Sequence, residues 1–97
     1  MIERHVTFVV HFGREAAFEA LYLTKYSVAM ARQPGFVSVG LLRERAEGIG
    51  PRYQMVIRFA SAESAAAWHD SADHHALSPE IKQLYSASSV VVYDVIA

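Results

Sequence analysis

Hydrophobic and polar residues alternate strictly at the start of the chain. In positions 5–12, H-V-T-F-V-V-H-F, Val6, Phe8, Val10 and Phe12 fall on one side of an extended strand and His5, Thr7, Val9 and His11 on the other, because successive strand side chains point to opposite faces. After Gly13 the period lengthens. Over 14–32, Ala17, Phe18, Leu21, Tyr22, Val28 and Ala29 recur at helical intervals, which predicts an amphipathic helix of about five turns at ~3.6 residues per turn. Pro34-Gly35 ends it: proline disfavours helix at Gln33, and glycine frees the backbone to turn. A second strand is predicted over 36–45, a hairpin loop in A-E-G-I-G-P at 46–51, and a third strand over 53–59. Ser61 is placed to cap a helix carrying Ala65, Ala66 and Trp68, with Glu63 near the positive end of its dipole. Around Asp70 the pattern becomes a polar loop. Ser78-Pro79-Glu80 then starts a further helical piece, with a cap residue followed by proline at the first position and a face of Ile81, Leu84 and Tyr85. The β-branched run S-V-V-V-Y-D-V-I at 89–96 predicts the fourth strand.

The element order is βαββαβ. Shifting the first half by 47 positions lays Val6, Phe8, Val10 and Phe12 over Tyr53, Met55, Ile57 and Phe59, so both halves put bulky residues on one sheet face. The opposite face carries His5, Thr7, Val9 and His11 beside Arg52, Gln54, Val56 and Arg58, which is too polar for a monomer core and suits a partner or solvent. This split βαβ pattern is that of a ferredoxin-like α+β fold, a four-stranded antiparallel sheet with the helices on its greasy face.

Length and composition add a partner. The 97 residues fit one domain, 1–97, and a chain this short buries only about 60 to 70% of the surface that its unfolded form exposes. A hydrophobic fraction of 53% exceeds what so small an interior hides. Pairing of two sheet faces in a homodimer is the expected place for the excess.

Nine Lys and Arg against ten Asp and Glu leave a net charge of -1, without a basic run that would track phosphates; no nucleic-acid partner is expected. No stretch approaches the ~20 apolar residues of a membrane helix, and Glu3, Arg4 and His5 occupy the place of a signal peptide's apolar core. The expected location is cytoplasmic. The chain has no cysteine, which removes disulfides and thiolate chemistry and leaves histidine and carboxylate as the candidates.

His74, with Asp70, Asp73 and His75 nearby in the predicted polar loop, has the near-neutral pKa of a general base for a carbon acid or phenol, and a neighbouring carboxylate could orient it. His69, His74 and His75 with Asp70 or Asp73 are ligand types for Zn or Fe, but their spacing matches no established ligand pattern such as H-E-x-x-H, and no metal is expected. Trp68 and Tyr26 are core aromatics or walls for a flat ligand. Arg52 and Arg58 are expected to pair with carboxylates across the dimer interface, and Tyr22, Tyr85 and Tyr93 to serve in packing.

The opening R-H-V-T-F-V-V-H-F, the Q-P-G-F after the first helix, and R-F-A-S-A-E-S-A-A-A-W-H-D-S-A-D-H-H-A-L resemble the dimeric α/β-barrel superfamily. It includes antibiotic biosynthesis monooxygenases, stress-responsive barrel proteins (Dabb) and the ethyl tert-butyl ether degradation (EthD-like) group, and nearly the whole chain takes part. The resemblance implies a dimeric α/β barrel. Its monooxygenase branch implies oxidation of aromatic polyketides or quinols without metal or flavin. Heme-degrading relatives use an Asn, Trp and His set, of which a chain without asparagine keeps Trp68 and a nearby His. A plant polyketide cyclase of the same superfamily resembles the chain at both ends: His5 falls on its first-strand histidine, Tyr26 on a pocket tyrosine and His74 on its catalytic histidine. Tyr53 stands where the cyclase has histidine, and Trp68 where it has tyrosine.

The combined expectation is a monooxygenase-like or cyclase-like enzyme without cofactor, acting on a small aromatic or polyketide-like compound. His74 is its base, and Trp68, Tyr26, Tyr53 and His5 surround an enclosed cavity of ~300 Å³ or more. The alternative is a non-catalytic stress-responsive barrel protein with a structural or ligand-binding role.

Overall fold

Our computed structural model describes residues 1–45 and 50–97; the hairpin loop expected at 46–51 therefore lies mostly outside the described residues. Four strands, β1 (Ile2–Val10), β2 (Phe36–Arg43), β3 (Arg52–Phe59) and β4 (Tyr85–Asp94), form a sheet in the order β2-β3-β1-β4. All neighbours are antiparallel. The order of elements is the predicted βαββαβ, and the α+β, ferredoxin-like fold is as the alternation implies. Val6, Phe8 and Val10 share the helix-covered face with Tyr53, Met55, Ile57 and Phe59, since Phe8 pairs with Tyr53 and Val6 with Met55.

β1 begins and ends earlier than predicted. His11 and Phe12 lie beyond it, and Phe12 is 73% exposed, because the His11 amide turns away to the Leu84 carbonyl at 2.9 Å. At the other end, Ile2 and Arg4 extend the inward row.

The first helix comprises α1 (Glu15–Leu21), a π-helical turn over Tyr22–Tyr26 and α2 (Ser27–Ala31). In that turn the Ser27 amide bonds the Tyr22 carbonyl, and such a turn takes one residue more than an α turn. Inward positions move on by one, so Tyr26, Ala29 and Met30 are buried, whereas Val28 faces solvent. Ala17, also expected inside, is exposed.

Ser61 caps α3 (Ala62–His69) as predicted, its hydroxyl accepting from the Ser64 amide at 3.1 Å while the Ser64 hydroxyl accepts from the Ser61 amide at 3.2 Å. The next helix, α4 (Ala72–Lys82), starts at Ser71 and contains Pro79. The polar loop and the helix start at Ser78 are thus corrected: Ser71 is the stronger cap, and Pro79 merely leaves the His75 carbonyl without its usual donor. Tyr85 opens β4 and is not on the last helix.

Both sides of β4 are bare. Val90 and Val92 on the helix side, and Val91 and Tyr93 on the other, are all about half exposed. No described helix is long and apolar enough to cross a membrane.

Candidate functional site

α3 and α4 meet over the sheet at a short joint made by Ser71. Its hydroxyl donates to the Trp68 carbonyl at 2.7 Å and accepts from the His74 amide at 3.1 Å, so one side chain fixes where two candidate residues sit. Trp68 is buried. His74, in the first turn of α4, directs its ring toward the indole at a centroid distance of 5.2 Å and nearly perpendicular. Tyr26, at the end of the π turn, closes the group, with its ring 5.6 Å from Trp68 and 6.1 Å from His74. His69 lies 4.9 Å from His74 on the other side.

These side chains border a recess of about 220 Å³ between sheet and helices, with Arg4, Lys82 and Ser88 also on its wall. A hollow of about 350 Å³ adjoins it and shares Arg4 and His69. The recess is smaller than the ~300 Å³ expected of a site for drug-sized ligands. It suits a compound of one or two rings.

Burial lowers the pKa of His74 below the ordinary histidine value of 6.5, and the positive charges of His69, His75, Arg4 and Lys82 act in the same direction. The imidazole is therefore neutral, the form in which it accepts a proton. No carboxylate hydrogen-bonds it among the described residues. Asp70 pairs with His69 at 3.3 Å, and Asp73 accepts from the Gln33 amide group at 3.2 Å. The expected carboxylate partner is replaced by ring packing and the Ser71 bond. Tyr26 is pushed up to about 12, mainly by burial, so its hydroxyl stays protonated and able to donate.

Two expected pocket residues lie elsewhere. His5 is on the opposite sheet face, beside the Tyr93 ring at 4.7 Å and hydrogen-bonded to Glu3 at 2.5 Å; no bulge brings it round, since β1 and β3 stay in register from Ile2 to Val9. Tyr53 is on the inner face but near the far end of the sheet. Its hydroxyl donates to the Glu19 carboxylate at 2.5 Å, and its ring packs 4.9 Å from Phe18. Burial, followed by the bond to Glu19, raises its pKa, which fits a structural phenol. Arg58 is also corrected. It donates to Glu3 of its own chain at 2.6 Å, leaving Glu3 below the usual carboxylate value, chiefly through the His5 bond and then the Arg58 bond.

Arg4 and His69 were missed as wall residues. The alternation contains the signal for Arg4: continued two places back from Val6, it puts Arg4 on the helix side. Among the described residues, no trio of His, Cys, Asp or Glu is arranged to hold a metal ion.

The sequence model of the antibiotic biosynthesis monooxygenase family matches residues 1–79, the stretch that runs from β1 through the Trp68 and His74 joint. The chain belongs to the antibiotic biosynthesis monooxygenase family. Solved structures of similar fold support this placement of the elements. A candidate antibiotic biosynthesis monooxygenase from Caulobacter crescentus CB15 is 21% identical with a TM-score of 0.86, covering 99% of this chain and 90% of that one. SnoaB from Streptomyces nogalater, described as a cofactor-independent oxygenase, is 22% identical with a TM-score of 0.79, over 99% of this chain and 93% of its own. MhuD, solved with two manganese protoporphyrin IX bound per active site, is 21% identical with a TM-score of 0.81, over 100% of this chain and 96% of its own. At such identities these likenesses show the shared fold. No protein with a curated description matches the chain.

Proposed function

We propose that this member of the antibiotic biosynthesis monooxygenase family is an enzyme that works without a bound cofactor on a small aromatic or polyketide-like compound, with His74 as the base. The observation that carries the reading is the position of His74. Its ring, which burial keeps neutral, stands in an aromatic corner of the recess beside Trp68 and Tyr26. A substrate ring would lie against the indole, with its acidic C–H or O–H toward the imidazole. His74 accepts the proton, and the substrate is left as a delocalised carbanion or phenolate. That anion gives electrons to O₂, a C–O bond forms, and loss of water from the hydroperoxide turns a CH₂ group into a carbonyl, so that one O₂ yields one C=O and one H₂O. The same anion closes a ring if a carbonyl carbon of the substrate is held nearby. Tyr26, as a neutral phenol, is placed to stabilise the developing oxyanion.

SnoaB, of similar fold, is described as a cofactor-independent oxygenase, which favours oxygenation over cyclisation. Oxygen uptake with quinols and polyphenols tests the reading. We expect uptake by the wild type, and its loss by ~100-fold or more in His74→Ala, the scale of general base catalysis. Equal uptake by His74→Ala would remove the base, and ligand binding without turnover would favour a binding protein.

We further propose that the chain acts as a homodimer paired through its sheet, which would cover β4 and the outer face carrying Leu42, Val91 and Tyr93.

A further inference from the structure

The recess has a sign. Arg4 and Lys82 stand on its wall, and neither Asp nor Glu does. Arg4 is half-buried on the central strand β1, opposite Ile57 on one side and Val92 on the other. The ion pairs among the described residues involve neither Arg4 nor Lys82. A guanidinium held beside an apolar sheet without a carboxylate partner is open to an anion from outside the chain. It is also shaped to grip a planar oxygen acid through two parallel hydrogen bonds.

We infer that the recess selects an anionic aromatic, a flat ring bearing a carboxylate, with the carboxylate on Arg4 and the ring against Trp68 and Tyr26. This rests on the reading of the recess as an aromatic site and adds the charge of its ligand. Lys82, on a longer and more exposed stem, supplies field and no fixed geometry. Arg4 also borders the adjoining hollow, whose wall carries Asp70 paired with His69, so the acid group lies on the recess side of Arg4 and the ring lies deeper.

Calorimetric titration of the wild-type protein with 2-naphthoate and with its neutral isostere 2-naphthamide tests the inference. We expect the acid to bind ~10-fold or more tightly than the amide, the scale of one charge-assisted hydrogen bond, and this preference to shrink as salt is raised. Arg4→Met should bring the two ligands within about twofold by removing that bond, and Arg4→Lys should keep part of the preference. Lys82→Met should retain most of it. Equal binding of acid and amide by the wild type, or a preference that survives Arg4→Met, would overturn the inference and leave the aromatic site standing. If neither compound binds, the aromatic site itself falls.

Discussion

At the scale of single residues, His74 and Gly35 show how local physics sets function and stability. The folded pKa of His74 lies below its ordinary value of 6.5. Above that value the residue is neutral in both folded and unfolded chains and its contribution to stability is complete. As the pH falls through 6.5 toward the lower folded value, the unfolded chain takes up the proton first, and stability is lost. The basic form therefore persists to lower pH than in a free histidine, and the acid limb of the activity profile should fall below pH 6.5, the ordinary value. Proton NMR of the imidazole checks this directly: His69→Gln should raise the His74 pKa, and an unchanged titration would discount the charge of His69. Gly35 has φ of +81°, and a Cβ there would stand 2.5 Å from the Ser64 Cβ. Gly35→Ala should destabilise by more than about 1 kcal/mol in urea unfolding, since both the backbone conformation and the contact with α3 oppose it.

At the scale of elements, the joint between α3 and α4 and the π turn decide the site. Ser71→Ala removes a cap worth about 1 kcal/mol and with it the tie from Trp68 to His74. We expect a stability loss of that size together with a larger proportional fall in oxygen uptake; a fall in stability alone would show that ring packing suffices to place His74. Deleting Thr24 removes the extra residue of the π turn. Tyr26, Ala29 and Met30 stay inward in a regular helix, so the unfolding midpoint should equal or exceed that of the wild type. Tyr26 shifts by about one residue's rise, ~1.5 Å, and ligand affinity should drop.

These same elements mark what the sequence made legible. The strand faces could be read because alternation depends only on backbone geometry, and the Ser61 cap because its hydrogen bonds are local. The π turn could not be read from apolar spacing, which assumes a constant period; Val28 was accordingly expected inside, and Met30 was not. His74 was expected in a loop because Ser78-Pro79 reads as a helix start, whereas the helix begins one turn and more earlier, at the Ser71 cap. Trp68, Tyr26 and His74 do converge, whereas His5 and Tyr53 do not, and the reason for His5 is parity: an odd position on β1 cannot face the helices while the register holds. Tyr53 has the right parity but the wrong distance along the strand, which no pattern of alternation reveals.

At the scale of the whole molecule, the sheet is covered on one side by helices that leave β4 bare, and the outer face mixes the Glu3, His5 and Arg58 network with Leu42, Val56 and Val91. Sedimentation velocity at micromolar concentration should show a dimer, and Val91→Asp should shift it toward monomer. A wild type that sediments as a monomer would contradict the pairing. If pairing occurs, the thermal midpoint should rise with protein concentration, since each partner stabilises the other by mass action.

The bareness of β4 has another consequence. Its stretch from Ala87 to Tyr93 is small, β-branched or aromatic, uncharged and free of proline, and it sits at the edge of the sheet. Strands of that composition template cross-β stacking when nothing covers them. The protein's solubility is then a race between correct pairing and fibre nucleation, one that dilution or a poor partner interface would tilt toward fibres, and a single lysine introduced at Ser89 would act as a gatekeeper against them.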